Sequence, residues 1–275
     1  MNRVKELDYV LGHSQTEIQR LISQAAILRP VTERLLRAVN IGPGMRVLDL
    51  GCGAGDVSML AAEFVGPTGL VVGIDRNREV LTLAAERAHA AGFGQIRFEQ
   101  ASVESFSSQE PFDIVVGRCV LVHQSDLVGF LRAAARLVSP GGSIAFHEPR
   151  LPQRFDSKPA VPLWQVTGDF ILTAAQSALP HHDVGCRLIE FFSEAGLPEP
   201  DLLCEIPVGG GFDSPLYGWV AETLRSFLPH LAKMGILFGE QVGIEALESR
   251  LREAVVAARS QIEAPGKSAH GPGPD

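Results

Sequence analysis

A run of ten residues decides most of what this chain can fold into. Val47-Leu48-Asp49-Leu50-Gly51-Cys52-Gly53-Ala54-Gly55-Asp56 reads as a buried strand that enters a glycine loop and leaves it as a helix. Glycines in such a turn allow positive φ and let a ligand approach the backbone. Around it, residues 44–150 alternate short β-branched runs with longer helical periods. The strands read are Arg46–Leu50, Leu70–Ile74, Ile96–Gln100, Ile114–Gly117 and Ser143–His147, with helices near 57–65, 77–91 and 126–138. Such alternation predicts right-handed crossovers and an α/β fold, a doubly wound, mostly parallel sheet covered on both faces. Val47-Leu48 and Ile114-Val115-Val116 are apolar at successive positions, as strands buried on both sides are.

The loop also limits its ligand. Asp56 stands where a Gly-x-Gly-x-x-Gly dinucleotide fingerprint has its third glycine. A carboxylate at that helix N-terminus repels pyrophosphate, so adenosine without phosphate fits better. Asp75 closes the second strand, Val71-Val72-Gly73-Ile74-Asp75. An acid there either accepts both ribose hydroxyls or caps the helix that follows. Asp49 is placed to attract an ammonium group or to bond loop amides.

On the flanks, residues 1–40 form an amino-terminal helical segment. Ser14-Gln15-Thr16-Glu17 is a capping box, Ile18, Leu21, Ile22, Ala25 and Leu28 make an apolar stripe, and Pro30 ends or kinks the helix. Residues 41–150 form the sheet domain. Residues 151–262 read as a helical cap, with helices at 162–178, Asp183–Ala195, Leu216–Lys233 and 240–260, and Leu202–Val208 as a sixth strand. The Gly/Pro-rich residues 263–275 read as a disordered tail. No seventh strand is legible, and an open sheet edge invites pairing, so a homo-oligomer, in the simplest case a dimer, is expected.

Composition narrows the partners. The 275 residues carry a formal net charge of -8, which draws no polyphosphate backbone, so nucleic acid is not expected. No apolar run reaches the ~18 residues of a membrane span, and the start Met1–Glu6 lacks the apolar stretch of a secretory signal. A cytoplasmic protein without membrane contact is expected. Cys52, Cys119, Cys186 and Cys204 are scattered without zinc spacing and read as buried thiols in a reducing compartment, with no metal site.

These motifs resemble the class I S-adenosylmethionine-dependent methyltransferases over about residues 40–150. Asp49-Leu50-Gly51-Cys52-Gly53-Ala54-Gly55 is similar to the family's first motif and Gly73-Ile74-Asp75 to its ribose-binding acid. Pro111-Phe112-Asp113-Ile114-Val115 and Ser139-Pro140-Gly141-Gly142 resemble its fourth-strand motif and the turn before its fifth strand. The resemblance implies a Rossmann-like fold, S-adenosylmethionine as cofactor and S-adenosylhomocysteine as product. It implicates Gly51, Gly53, Asp75, Arg76, Ser102 and Val103 in cofactor binding. Many relatives have Asp where Ser102 stands; here the serine hydroxyl or Glu104 would serve the adenine amino group. The flanks, from Tyr9-Val10-Leu11-Gly12-His13-Ser14 to Gln24-Ala25, with Gly117-Arg118 and Glu148, resemble bacterial methyltransferases of small-molecule and secondary metabolism. That likeness makes Tyr9 and Gln24 cofactor-side candidates, beside the plainer reading of a packing aromatic and a solvated residue.

Methyl transfer to a phenol, hydroxyl or amine needs a base to expose the lone pair. Ionisable residues at the carboxyl ends of the strands are Arg118, His123, His147 and Glu148. Alternation along the strand turns His147 away from Glu148, so Glu148 and His123 are the catalytic candidates. His123 reads equally as a helix cap, and Glu148 as a structural partner of Arg118. Arg118 is otherwise a fork for the cofactor's carboxylate. Trp164, Phe170, Ile171, Leu172, Phe212, Tyr217, Trp219, Phe227 and Phe238 offer an apolar lining for a hydrophobic or aromatic acceptor, or simply pack the cap. Val116-Gly117-Arg118-Cys119 replaces the Asn/Asp-Pro-Pro-aromatic motif of nucleic-acid amino methylation. The expectation is methylation at O, N or C of a small metabolite. The alternatives are a cofactor-retaining cyclase and a non-catalytic binding module.

Overall fold

Strand β1 (Arg46–Leu50) lies inside the sheet because its residues are apolar towards both faces. In the computed structural model, which describes residues 15–151, 153–236 and 243–272, β1 pairs in parallel with β2 (Leu70–Asp75) and with β4 (Phe112–Arg118). β3 (Ile96–Gln100) pairs in parallel with β2, and β5 (Val138–Pro149) with β4. The turn expected at Ser139–Gly142 is absorbed into β5 as an irregularity, where the register with β4 shifts between Phe112 and Ile114. The expected doubly wound parallel sheet is present.

Helix α1 (Gln15–Ala38) runs through Pro30 instead of ending there. Its last turns and α2 (Asp56–Val65) cover one face, where Leu35, Leu36, Val47, Leu60, Val71, Ile114 and Ala145 share a buried cluster. On the other face Phe146 packs 6.3 Å from Phe130 of α4 (Leu127–Ala135) and 6.4 Å, edge-on, from Phe192. Helix α3 (Arg78–Ala90) is capped by Asn77, whose side chain accepts from the amides of Glu79 and Val80. The cap reading of Asp75 is thereby removed. Asp126, accepting from Gly129, caps α4, so His123 does not.

The chain divides into two compact units. The larger comprises Leu28–Arg150, Asp183–Glu205 and the chain from Lys267 onward; the smaller comprises α1 up to Ile27, Leu151–His182 and Ile206–Gly266. The smaller contains a three-stranded antiparallel sheet in the order β6 (Asp156–Lys158), β8 (Gln261–Glu263), β7 (Val208–Gly209). Its helices are α5 (Pro162–Ala178), α7 (Leu216–Lys233) and α8 (Leu247–Ala258), while α6 (Leu188–Ala195) belongs to the larger unit. Trp164 is fully buried, donates its indole N–H to the Glu263 carbonyl at 3.2 Å and meets Phe155 edge-on. The Tyr217 hydroxyl reaches the carbonyls of Gly210 and Gly211. Trp164, Ile171, Tyr217 and Phe227 thus fill this unit's own core, the plainer of their two readings. Phe212 is exposed beneath Arg252, and Phe238 lies outside the described residues.

Two expectations about the sheet are corrected. Leu202–Val208 is not a sixth strand of the main sheet: apart from an isolated bridge at Glu205, pairing is confined to Val208–Gly209, in the small sheet. Leu202, Ile206 and Val208 are exposed, and Pro207 has no N–H to give a ladder. The tail expected to be disordered instead supplies β9 (Lys267–Pro272), antiparallel to β5 from Pro149↔Lys267 to Ser143↔Pro272. An edge strand tolerates proline because its outer N–H groups have no ladder partner. The order is therefore β3-β2-β1-β4-β5-β9. β9 thus covers the edge of β5 that the sequence left open, and the sheet's own edges are β3 and β9.

The thiols are also not all buried. Cys52 is, Cys119 is half-buried, and Cys186 and Cys204 are exposed. Among the described residues no helix is long and apolar enough to cross a membrane.

Candidate cofactor site

Parallel register brings the carboxyl ends of β1, β2 and β4 side by side, Leu50 beside Ile74 and Gly117. The loop after β1 turns sharply there. Gly51, Gly53 and Gly55 have φ of 64°, 51° and 82°. A Cβ at Gly51 would stand 2.9 Å from Val120 Cγ2, and one at Gly55 3.0 Å from Phe98 Cζ, so sterics and φ both demand glycine. At Gly53 nothing among the described residues lies within 4 Å of such a Cβ, and among them this part of the loop faces open space.

Asp75 holds that open part of the loop. Its Oδ2 accepts from the Gly53 amide at 3.0 Å and its Oδ1 from the Asn77 amide at 2.9 Å. A carboxylate has about four acceptor positions, so two hydroxyls can still be received. Arg76 pairs with Glu104 at 3.6 Å across an exposed gap. Ser102 sits in the turn after β3, its hydroxyl 3.2 Å from that of Ser105, and Val103 beside it is buried.

Asp49 is held by Ser58 of α2, which donates its hydroxyl to Oδ2 at 2.6 Å and also its backbone amide. Burial pushes the Asp49 carboxyl up to about 7, opposed by the Ser58 bond and by the charge of Arg118. The folded state therefore holds this proton more tightly than the unfolded chain does. That contribution to stability is complete below about pH 4 and is lost as pH rises through about 7, on the order of 3–4 kcal/mol. Asp49→Asn, which cannot ionise, is expected to flatten this component when melting is followed between pH 5 and 8. An unchanged slope would assign it elsewhere.

Asp56 departs from its expected role. Arg87 of α3 pairs with it at 2.8 Å and also donates to the Ala54 carbonyl, so its charge is balanced within the protein. Repulsion of pyrophosphate is correspondingly weaker than the sequence implies.

Glu148, the other expected catalytic candidate beside His123, lies in the interior. It is fully buried, and Oε1 accepts from the amides of Val120 (2.8 Å) and Leu121 (3.0 Å), Oε2 from that of Val122 (3.3 Å). Its carboxyl group caps the short 3₁₀ turn Leu121–His123, which follows β4. A carboxylate that three backbone amides already approach has little acceptor capacity left for a substrate proton. His147 faces the other way, as alternation requires, with Nδ1 2.9 Å from the Thr32 hydroxyl. Cys119 enters the turn at φ 53°, uncommon for a side-chain-bearing residue, and donates its amide to the His147 carbonyl.

The two amino-terminal candidates fare differently. Tyr9 lies outside the described residues. Gln24 accepts at Oε1 from Arg20 (2.8 Å) and from the Trp219 indole (3.1 Å), a structural bond within the smaller unit. Sequence reasoning missed Ser58 and Arg87. Each acts on a motif carboxylate from a neighbouring helix, and no local spacing announces either.

The structure fits a nucleoside at this loop: glycine backbone facing open space, an acid with acceptor capacity beside it, and a buried carboxyl behind. These features define a nucleoside-binding α/β domain. A family described as methyltransferase domain matches residues 41–182, more than half of the chain, and the chain belongs to that family. Nocamycin O-methyltransferase of Saccharothrix syringae is 37% identical over 123 residues, covering 44% of this chain and 44% of that protein. The tRNA (guanine(6)-N2)-methyltransferase of Thermus thermophilus is 36% identical over 152 residues, covering 49% and 45%. The structure of the YcgJ protein from Bacillus subtilis shares the fold, with a TM-score of 0.55 at 18% identity over 87% of this chain and 97% of that one. The chain spans less than half the length of these two curated relatives.

Proposed function

We propose that the chain is an S-adenosylmethionine-dependent methyltransferase whose acceptor is a small hydrophobic or aromatic metabolite. The observation that carries this reading is the Asp75 carboxylate bonded to the Gly53 amide, where the glycine loop faces open space. When bound, S-adenosylmethionine supplies an electrophilic methyl carbon on a sulfonium. The chain's own part is to bind and orient. Gly51 and Gly53 offer bare backbone, Asp75 accepts from the ribose hydroxyls, and Arg76, Ser102 and Val103 flank the base. Asp49 in its ionised form favours a cationic ligand, and Arg118 meets a carboxylate. His123 is the proton acceptor in this reading. Glu148 acts through it as a positioning residue, fixing the turn that carries the imidazole.

A small acceptor is favoured over RNA by the formal net charge of -8 and by Val116–Cys119 in place of an amino-methylating motif. The test is incubation with methyl-labelled S-adenosylmethionine, a panel of phenols, carboxylic acids and amines, and unmodified tRNA. Label is expected in a small molecule. Label in the RNA alone would refute the acceptor class, and product formed without S-adenosylhomocysteine would favour a cyclase.

A further inference from the structure

Among the described residues the outer edge of β3 has no strand beside it. Its ladder with β2 fixes which groups that edge offers. Val71 donates its amide to the Gln95 carbonyl and Ala101 its amide to the Asp75 carbonyl, both at 3.1 Å. Alternate residues of a strand bond the same neighbour, so the N–H and C=O groups of Ile96, Phe98 and Gln100 point away from the sheet. Phe98 turns its ring towards α2: a Cβ at Gly73 would stand 2.8 Å from Phe98 Cδ1 and 2.9 Å from Ser58 Oγ. Arg97 and Glu99 therefore lie on the opposite face, where both are exposed. Neither has an ion-pair partner among the described residues.

We propose that this edge docks a second copy of the chain, β3 against β3, antiparallel about a two-fold axis at Phe98. That axis sets Phe98 opposite Phe98 of the other copy, and Ile96 opposite Gln100. These are the residues whose backbone groups point outward, so they form the hydrogen-bonded pairs and leave none of those groups unmet. Between them Arg97 comes opposite Glu99, and Glu99 opposite Arg97, with Cα atoms about 4.5 Å apart. Opposite charges directly across a ladder stabilise it, and like charges do the reverse. Charges on an edge strand ordinarily discourage pairing; here their order, basic before Phe98 and acidic after it, is complementary to itself. Sliding the pair by two residues would set Arg97 against Arg97 or Glu99 against Glu99, so the charges also select the register. At each end Gly94 comes opposite Ser102, and nothing among the described residues lies within 4 Å of a Cβ at Gly94, which leaves room for that turn. A two-fold contact of this kind closes on itself and stops at the dimer.

A five-residue edge is small beside the roughly 1,200–2,000 Å² of a stable interface, so the dimer is expected to be reversible. Analytical ultracentrifugation of the full chain over rising concentration should show monomer giving way to dimer. Arg97→Glu and Glu99→Arg, each alone, set like charges across the ladder and are expected to weaken association roughly tenfold or more. The double variant Arg97→Glu with Glu99→Arg restores both pairs in the reverse sense and should recover the parent's association. An equimolar mixture of the two single variants should form a mixed dimer, since the acids of one then face the bases of the other. Both positions are exposed, so the substitutions leave the core alone. A parent chain monomeric throughout, single variants that associate as the parent does, or a double variant or mixture that recovers nothing would overturn the proposal.

Discussion

Glu148→Ala is expected to cost roughly 3–5 kcal/mol of stability, because it strands three buried amide donors that one carboxylate satisfies. For a chain of this size that corresponds to a melting midpoint lower by roughly 10 °C. Val120, Leu121 and Val122 are all buried, so water does not replace the lost acceptor without rearranging the turn. Glu148→Gln keeps one acceptor oxygen and turns an amide N–H₂ towards a donor, so it is expected to lose an intermediate amount. Turnover should fall in both variants through the displaced turn, with the pH profile of the residual rate unchanged. Circular-dichroism melting decides the matter. A Glu148→Ala protein as stable as the parent but inactive would return the carboxylate to the role of base.

Asp75→Ala is expected to weaken S-adenosylmethionine binding by about ten- to a hundredfold, or 1–3 kcal/mol. Two losses combine. The ribose acceptor disappears, and the amides of Gly53 and Asn77 lose the group that holds the loop to the end of β2. Asp75→Asn keeps one carbonyl oxygen and should recover part of the affinity. Calorimetry on the three proteins separates these outcomes, and equal affinity across the series would remove Asp75 from the cofactor site.

The sheet was legible because successive apolar residues in β1 and β4 leave few alternatives to a buried parallel strand, and the glycine loop was legible because φ and sterics at Gly51 and Gly55 admit little else. Side-chain partnerships were not legible. Glu148 reads as a candidate base in sequence, and only the fold shows three backbone amides converging on it. Asp56 looks like a bare negative charge until α3 brings Arg87 across. β9 escaped because its Gly/Pro composition imitates disorder, while its pairing depends on an edge of β5 far away in sequence. Local composition reports what a segment prefers, and long-range pairing decides what it meets.

The loop's ligand is settled most directly by calorimetric titration of the purified chain with S-adenosylmethionine, S-adenosylhomocysteine and a nicotinamide dinucleotide in parallel. Saturable heats with the first two and none with the dinucleotide are predicted. Binding of the dinucleotide alone would contradict the account, since it would mean that the turn after β1 receives phosphate and not an unphosphorylated nucleoside.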